Sequence, residues 1–456
     1  MKEFNMQSTN YSLWAFCVWL TATTANAQEL QSAAVQHTTF LSAQVVNASP
    51  QTFPLRWTPD QLTWNQPLEG YGQSAPAVWQ GQAYVTCVAG DNKERCLLSA
   101  IDLASGKVLW QHSEESESQA ESTSMISRAA PTPNCDQQGV YAFFETGNLI
   151  ALSHAGAVRW QRKIQAEFGP FQNKFGLSAS PAQTSDALYI LIDHEGESSL
   201  VAIDKLTGDT RWRTPRAKHG HSWTSPSSVI VDSQPVIVCS SIGSIDVYDC
   251  SVGKQLATFN DVGGNSVATP IDCGEGRFLV SSLIRPADGP VEGATRSNLL
   301  AKLIKQKGEY SIQVKWTAQQ ARGSFSSPIL HNDFCFWINP QGVLFCLDAA
   351  TGEEYYAKRL PCGGCWATPI AIGDRLYCFG RDGETVVIRV AKEYEELAAG
   401  NRVWSEQPAA PDSAPGGQPP GYGGRRGVYA VLALDNAFLV RSGNALYRVD
   451  RGQARP

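Results

Sequence analysis

Cys362-Gly363-Gly364-Cys365 sets two thiols at the spacing that can grip one metal ion or exchange a disulfide. A closed metal site needs two more donors, and no second CxxC occurs, so Cys378, His219 or His221 would have to be brought in by folding. No histidine follows Cys365, which excludes covalent haem attachment. His219-Gly220-His221 could supply two ligands from one strand face, and surface hydrogen bonding serves the pair equally well. No GxSxG elbow, HExxH helix, phosphate-binding loop or EF-hand loop is present, and no carboxylate pair is defined as general acid and base. No catalytic residue and no metal site is therefore assigned.

The remaining cysteines bear on compartment. Residues 1–27 read as an export signal, with an apolar stretch from Tyr11 to Leu20 and a small-x-small site at Ala25-Asn26-Ala27. The apolar stretch is about half the length needed to cross a bilayer, so no stable membrane span is expected. Export would place the chain in the periplasm or outside the cell, peripheral to the envelope, where disulfides persist. Cys87 and Cys96 flank Asp91-Asn92, and Cys335 and Cys346 flank Pro340-Gln341. Read as two-residue hairpin loops, these put each pair directly across two strands. Disulfides at Cys87–Cys96, Cys335–Cys346 and Cys362–Cys365 stand against buried free thiols as the alternative.

These residues must be positioned by a repeat. Ile101–Trp110, Leu152–Trp160, Ile203–Trp212 and Leu347–Tyr356 each run from an apolar strand end through Asp or Ser and a polar turn closed by Gly into a new strand. Asp or Ser can bond the backbone of such a bend, and Gly supplies positive φ. A second marker, proline after small residues, recurs at Pro76, Pro131, Pro181, Pro226, Pro270, Pro328 and Pro369. Each period holds about four short strands and no convincing helix, the pattern of a propeller blade. An eighth unit follows without its proline: Tyr429-Ala430-Val431 aligns with Thr368-Pro369-Ile370. It ends one strand short, and Leu62–Pro67 is the strand available to complete it. The expected fold is all-β, an eight-bladed β-propeller of four-stranded antiparallel blades closed by the N-terminal strand.

The "S-x-P" strand start alternating with Leu200–Trp212, which reads L-x-A-x-D-x-x-T-G-x-x-x-W, resembles the pyrroloquinoline-quinone (quinoprotein-type) propeller repeat. That resemblance spans most of the chain. It implies that Trp110, Trp160, Trp212 and Trp316 are packing anchors between blades. The family includes quinone-dependent dehydrogenases and an outer-membrane assembly lipoprotein that only holds partner proteins. Its enzymes look as though they use adjacent cysteines over the cofactor, carboxylates with an amide around calcium, and a stacked aromatic. This chain has no Cys-Cys step, and its repeat length is nearer that of the non-catalytic members.

The expected organisation is a signal peptide at 1–27, a flexible lead at 28–56 and one propeller at 57–450, with a Pro/Gly-rich loop at 399–426 before the last blade. Loops entering the inner strands converge on one end of the axis, presenting Arg128, Trp223, Phe325 and Trp366, with His219, His221 and Asn265 slightly earlier. This rim is the expected surface for an envelope protein or small ligand; the competing reading is that its aromatics plug the channel. The 37 Lys and Arg against 43 Asp and Glu are dispersed, which argues against a nucleic-acid partner. A monomeric, non-enzymatic binding scaffold without cofactor is the primary reading. The alternative is a quinone-dependent dehydrogenase of alcohols or sugars holding pyrroloquinoline quinone with calcium.

Overall fold

Eight antiparallel sheets stand around one axis, and the inner strand of each begins just after the small-residue step that marks the repeat. The structure is a computed structural model that describes residues 36–42, 44–46, 48–120, 126–216, 220, 222–283, 297–405 and 427–451. Contacts divide the chain after Ala34, and the ring belongs to the unit Val35–Pro456. The export signal expected at 1–27 lies outside the described residues.

Blade 3 shows the plan: Ala182–Gln183 innermost, then Ala187–Ile192, Ser199–Asp204 and Thr210–Pro215. Its two middle strands are almost continuously buried, because both faces of a blade are covered by neighbouring blades. The core is accordingly divided into seams. Tyr141 and Phe143 of blade 2 pack with Leu188 and Ile190 of blade 3, and an equivalent cluster fills each of the other seven seams.

The anchor tryptophans lock the seams. Trp160 donates its indole N–H to the carbonyl of Lys205 (3.0 Å), and its ring lies against Gly208 in the next blade's turn. Trp64, Trp110, Trp212 and Trp316 repeat this contact with Leu103, His154, Cys250 and Ala349. A Cβ on Gly208 would come 2.7 Å from the Trp160 ring, and φ there is +82°, so glycine is required twice over.

The ring closes as the missing strand suggested. Trp64–Pro67 pairs antiparallel with Ala445–Asp450, Trp64 opposite Arg448, and supplies the outer strand of blade 8. Of the lead expected to be flexible at 28–56, residues 28–35 lie outside the described residues, and the described part is bonded to the ring. His37 bridges to Val78 of blade 1, the N–H of Cys135 in blade 2 donates to the Thr38 carbonyl (3.0 Å), and Val45–Val46 pairs parallel with Ala371 and Ile372 of blade 7. Residues 37–42 and 44–46 thus run in opposite directions along the channel, the two arms of a hairpin whose described tip, turned by the Ser42 N–H donating to the Thr39 carbonyl, faces the ends where the inner strands start. Phe53 and Trp57 then pack between blades 7 and 8. Inward-facing backbone of the small inner strands offers bonding groups that this segment satisfies. The fourth strand of blade 7 runs Glu396–Arg402, and Val403 and Trp404 behind it are buried, so the loop expected from 399 begins later; 406–426 lie outside the described residues.

Two expected disulfides fail on register. Cys87 faces Leu97 while Val88 faces Cys96, and Cys335 faces Leu347 while Phe336 faces Cys346. The connection after Ala89 is Gly90–Glu94, with Lys93 at φ +57°, longer than a two-residue turn. A one-residue shift sends a side chain to the other face of a sheet. Cys96 therefore lies in the seam with blade 2 and Cys87 on the opposite face, while Cys335 and Cys346 divide between the blade 5/6 and 6/7 seams. All eleven described cysteines are free thiols.

Two measurements check this. Gly208→Ala should lower unfolding stability by roughly 2–4 kcal/mol through left-handed strain and overpacking, read as a shift in denaturation midpoint. Non-reducing peptide mapping should find Cys87, Cys96, Cys335 and Cys346 unlinked. In the folded protein Cys96 and Cys346, each pushed up to about 12 chiefly by burial, should resist alkylation until denaturant is added.

Candidate functional site

The repeated small-residue step does more than fit a narrow axis. The N–H of Ala75 donates to Thr132 Oγ1 (3.0 Å), that of Thr132 to Ser180 Oγ (2.9 Å), and that of Ser180 to Ser225 Oγ (2.9 Å). The N–H groups of Ser225, Thr269 and Ser327 continue it to Thr269, Ser327 and Thr368 (3.0, 3.1 and 3.0 Å). Residues preceding a proline thus form a belt of hydroxyls from blade 2 to blade 7, which blade 1 joins through the Ala75 N–H. The belt stops there because Tyr429 occupies the equivalent place in blade 8, and its phenol reaches Tyr71 instead (2.6 Å).

Above the belt opens a cavity of about 500 Å³. Ser180, Ser225, Thr269 and Ser327 line its lower part, Phe40 of the channel hairpin meets it, and Phe175, Trp223, Phe325, Trp366 and Tyr429 form its aromatic wall. Trp366 links two partners, with ring centroids 5.7 Å from Phe325 and 5.3 Å from Tyr429. Trp223 is fixed by its indole N–H donating to the Gly176 carbonyl (3.1 Å) and by Phe175 at 5.8 Å. Phe325 is 40% exposed, high for a large apolar side chain.

Of the expected rim residues, Trp223, Phe325 and Trp366 meet in this cavity. Arg128 stands beside it, its guanidinium 3.5 Å from the Tyr71 ring centroid and its backbone N–H donating to Gln73 Oε1 (2.9 Å). Asn265 does not belong there: fully buried, its amide donates to Ser240 Oγ and to the carbonyls of Ser241 and Ser244, which holds a hairpin of blade 4. His219 and His221 lie outside the described residues. Phe175, Tyr71, Tyr429 and Phe40 were not singled out from sequence. Tyr429 carried a signal, its alignment with Thr368; the others depend on contacts between distant segments.

Cys362 and Cys365 sit beside the site in the blade 6/7 seam, both buried and unlinked. Hydrogen bonding with Cys362, then burial, holds the Cys365 thiol well above its ordinary range. The intervening glycines have different reasons: a Cβ on Gly364 would come 2.6 Å from the Pro340 carbonyl oxygen of blade 6, whereas Gly363 has open space and a φ of +71°. Among the described residues no three His, Cys, Asp or Glu side chains are placed to hold a metal ion. Among the described residues the cavity lining contains no carboxylate. The residues present therefore do not fit a calcium-bound quinone there, although Trp223 and Trp366 offer stacking faces.

His37 is buried beneath this site and its Nε2 bonds the Ala433 carbonyl. Burial holds its pKa below 6.5. The unfolded chain then binds a proton that the folded chain refuses, so stability is full above pH 6.5 and falls as pH drops toward the depressed value. His37→Gln should flatten that acid limb, measured as the difference in denaturation midpoint between pH 7.5 and 5.5 relative to the unsubstituted protein.

A family model described as outer membrane protein assembly factor BamB matches residues 18–191. Outer membrane protein assembly factor BamB of Moranella endobia is 26% identical over 202 residues, 43% of this chain and 46% of that protein. The Shewanella oneidensis protein of the same name is 22% identical over 352 residues, 70% of this chain and 85% of that one. The chain thus spans about half the length of the first relative. Among solved structures, BamB from Moraxella catarrhalis superimposes with a TM-score of 0.57 at 13% identity, covering 87% of this chain and 98% of that one. Quinohemoprotein alcohol dehydrogenase from Comamonas testosteroni gives 0.53 at 12% identity, covering 91% and 79%. The chain carries a PQQ-like propeller that resembles the assembly factor.

Proposed function

We propose that this protein is an exported, non-enzymatic scaffold of the cell envelope that holds a partner protein at the axial cavity. The observation carrying this reading is a cavity of about 500 Å³ whose wall is aromatic and whose base is hydroxyl, without a carboxylate or an assembled nucleophile and base. Such a surface buries apolar side chains and leaves polar tips for hydrogen bonds, which suits capture of a polypeptide segment. Similarity to an assembly factor named for outer membrane proteins supports the envelope setting. No helix among the described residues is long and apolar enough to cross a membrane, so attachment would be peripheral.

The dehydrogenase alternative rests on shared ring architecture, since the superposition with the quinohemoprotein enzyme is at 12% identity. A photoreactive amino acid in place of Phe325 would test the scaffold reading in living cells. It should trap an envelope protein, and Trp366→Ala in the same chain should reduce the adduct by about tenfold, as for loss of a buried aromatic hot spot. Unchanged trapping would remove the cavity from the binding surface. Turnover of alcohols with added pyrroloquinoline quinone, calcium and a dye acceptor would overturn the non-enzymatic reading.

A further inference from the structure

Buried cations elsewhere in the ring are matched. Lys93 meets Glu145 at 3.1 Å between blades 1 and 2, and Arg216 meets Asp193 of its own blade 3 at 2.9 Å and Asp246 of blade 4 at 3.3 Å. Arg441, in the seam between blades 8 and 1, is not. Its side chain is fully buried, and Nη2 donates to the Thr86 carbonyl (3.1 Å) and to Cys87 Sγ (3.2 Å), but Nε and Nη1 have no acceptor. Arg128, stacked on Tyr71, also has a buried Nε without acceptor. Neither guanidinium has a carboxylate partner among the described residues. Arg441 is sealed in its seam, whereas Arg128 is only partly buried and stands beside the cavity, so Arg128 is the cation within reach of an anion there.

Tyr71 stands between these arginines and the cavity wall. Burial pushes its phenol up, so it stays protonated. In the Tyr71–Tyr429 pair one hydroxyl proton bridges the two oxygens, and the other has no acceptor among the described residues. One flank of the cavity therefore presents the Tyr429 hydroxyl, with Tyr71 and Arg128 beside it, while Phe175, Trp223 and Phe325 make the other flank apolar.

On the reading of the cavity as a partner site, we infer that the group it takes is the C-terminal end of a polypeptide, its carboxylate toward Arg128 and the Tyr71–Tyr429 pair and its last apolar side chain on the aromatic flank. Charge selects the C-terminus, since an N-terminal ammonium would face the Arg128 guanidinium. The hairpin of residues 37–46 selects an end over a through-going segment. A chain threading the ring would have to displace that hairpin and its bonds to blades 1, 2 and 7, whereas an end need only enter as far as Phe40.

Calorimetric titration of the full chain with an N-acetylated Ala-Ala-Phe tripeptide, as free acid and as amide, tests this. The free acid should bind at least about tenfold more tightly, the scale of one charge-assisted hydrogen bond. Arg128 is only partly buried, so Arg128→Gln should fold, as circular dichroism would verify, and should abolish the acid-over-amide preference without weakening the amide; Arg128→Lys should retain much of it. Equal affinity for acid and amide overturns the inference and leaves the scaffold reading intact. Equal affinity for an amidated peptide with an internal glutamate overturns the chain-end assignment. Failure of every peptide to bind also overturns the inference, while the cross-linking experiment at Phe325 decides the scaffold reading separately.

Discussion

An indole laid over a glycine turn is the contact on which the ring depends. Trp160 crosses its seam to cover Gly208 and to bond the Lys205 carbonyl, and four other seams repeat the arrangement. The bond fixes the direction of the indole while burial of its ring supplies the attraction, so neighbouring sheets are held at one relative height and tilt. The remaining three seams lack this lock and rely on apolar packing; the seam between blades 7 and 8 adds Phe53, Trp57 and Trp404.

With height fixed at the outer edge, the inner edge can be tied by short bonds. The hydroxyl belt works because each small side chain before a proline comes within about 3 Å of its neighbour's backbone N–H, a tolerance that a tilted blade would break. The same small residues leave space at the axis. The chain fills part of it with residues 37–46, and the rest is the aromatic cavity. Belt, hairpin and cavity are thus three consequences of crowding eight inner strands around one line.

Charge is distributed with the same logic, except at one place. Lys93, Lys205 and Arg216 each bridge a seam to a carboxylate, Glu145, Asp136 and Asp246 respectively, so their burial is compensated. Arg441 and Arg128 lie where the belt is interrupted, on the side of the cavity that Tyr429 occupies in place of a hydroxyl residue. Structural regularity and binding capacity therefore divide between different seams.

The turn glycines, the anchor Trp110, Trp160, Trp212 and Trp316 and the prolines after small residues were legible in the sequence because each acts within one repeat or between adjacent copies. They determined the eight blades, and the incomplete last unit determined that Leu62–Pro67 would close the ring. Trp223, Phe325 and Trp366 were legible for the same reason, as each precedes a marked proline. Only the tertiary structure decided the rest. The strand register at Cys87 and Cys335 turned on the length of two loops, and one residue of slip reversed the faces of both thiols. The placing of residues 37–46, the burial of Asn265 and the isolation of Arg441 arise from segments hundreds of residues apart, which no local pattern records. Short-range turn chemistry is written in neighbouring residues, whereas the contents of a central channel are set only when both ends of the chain have met.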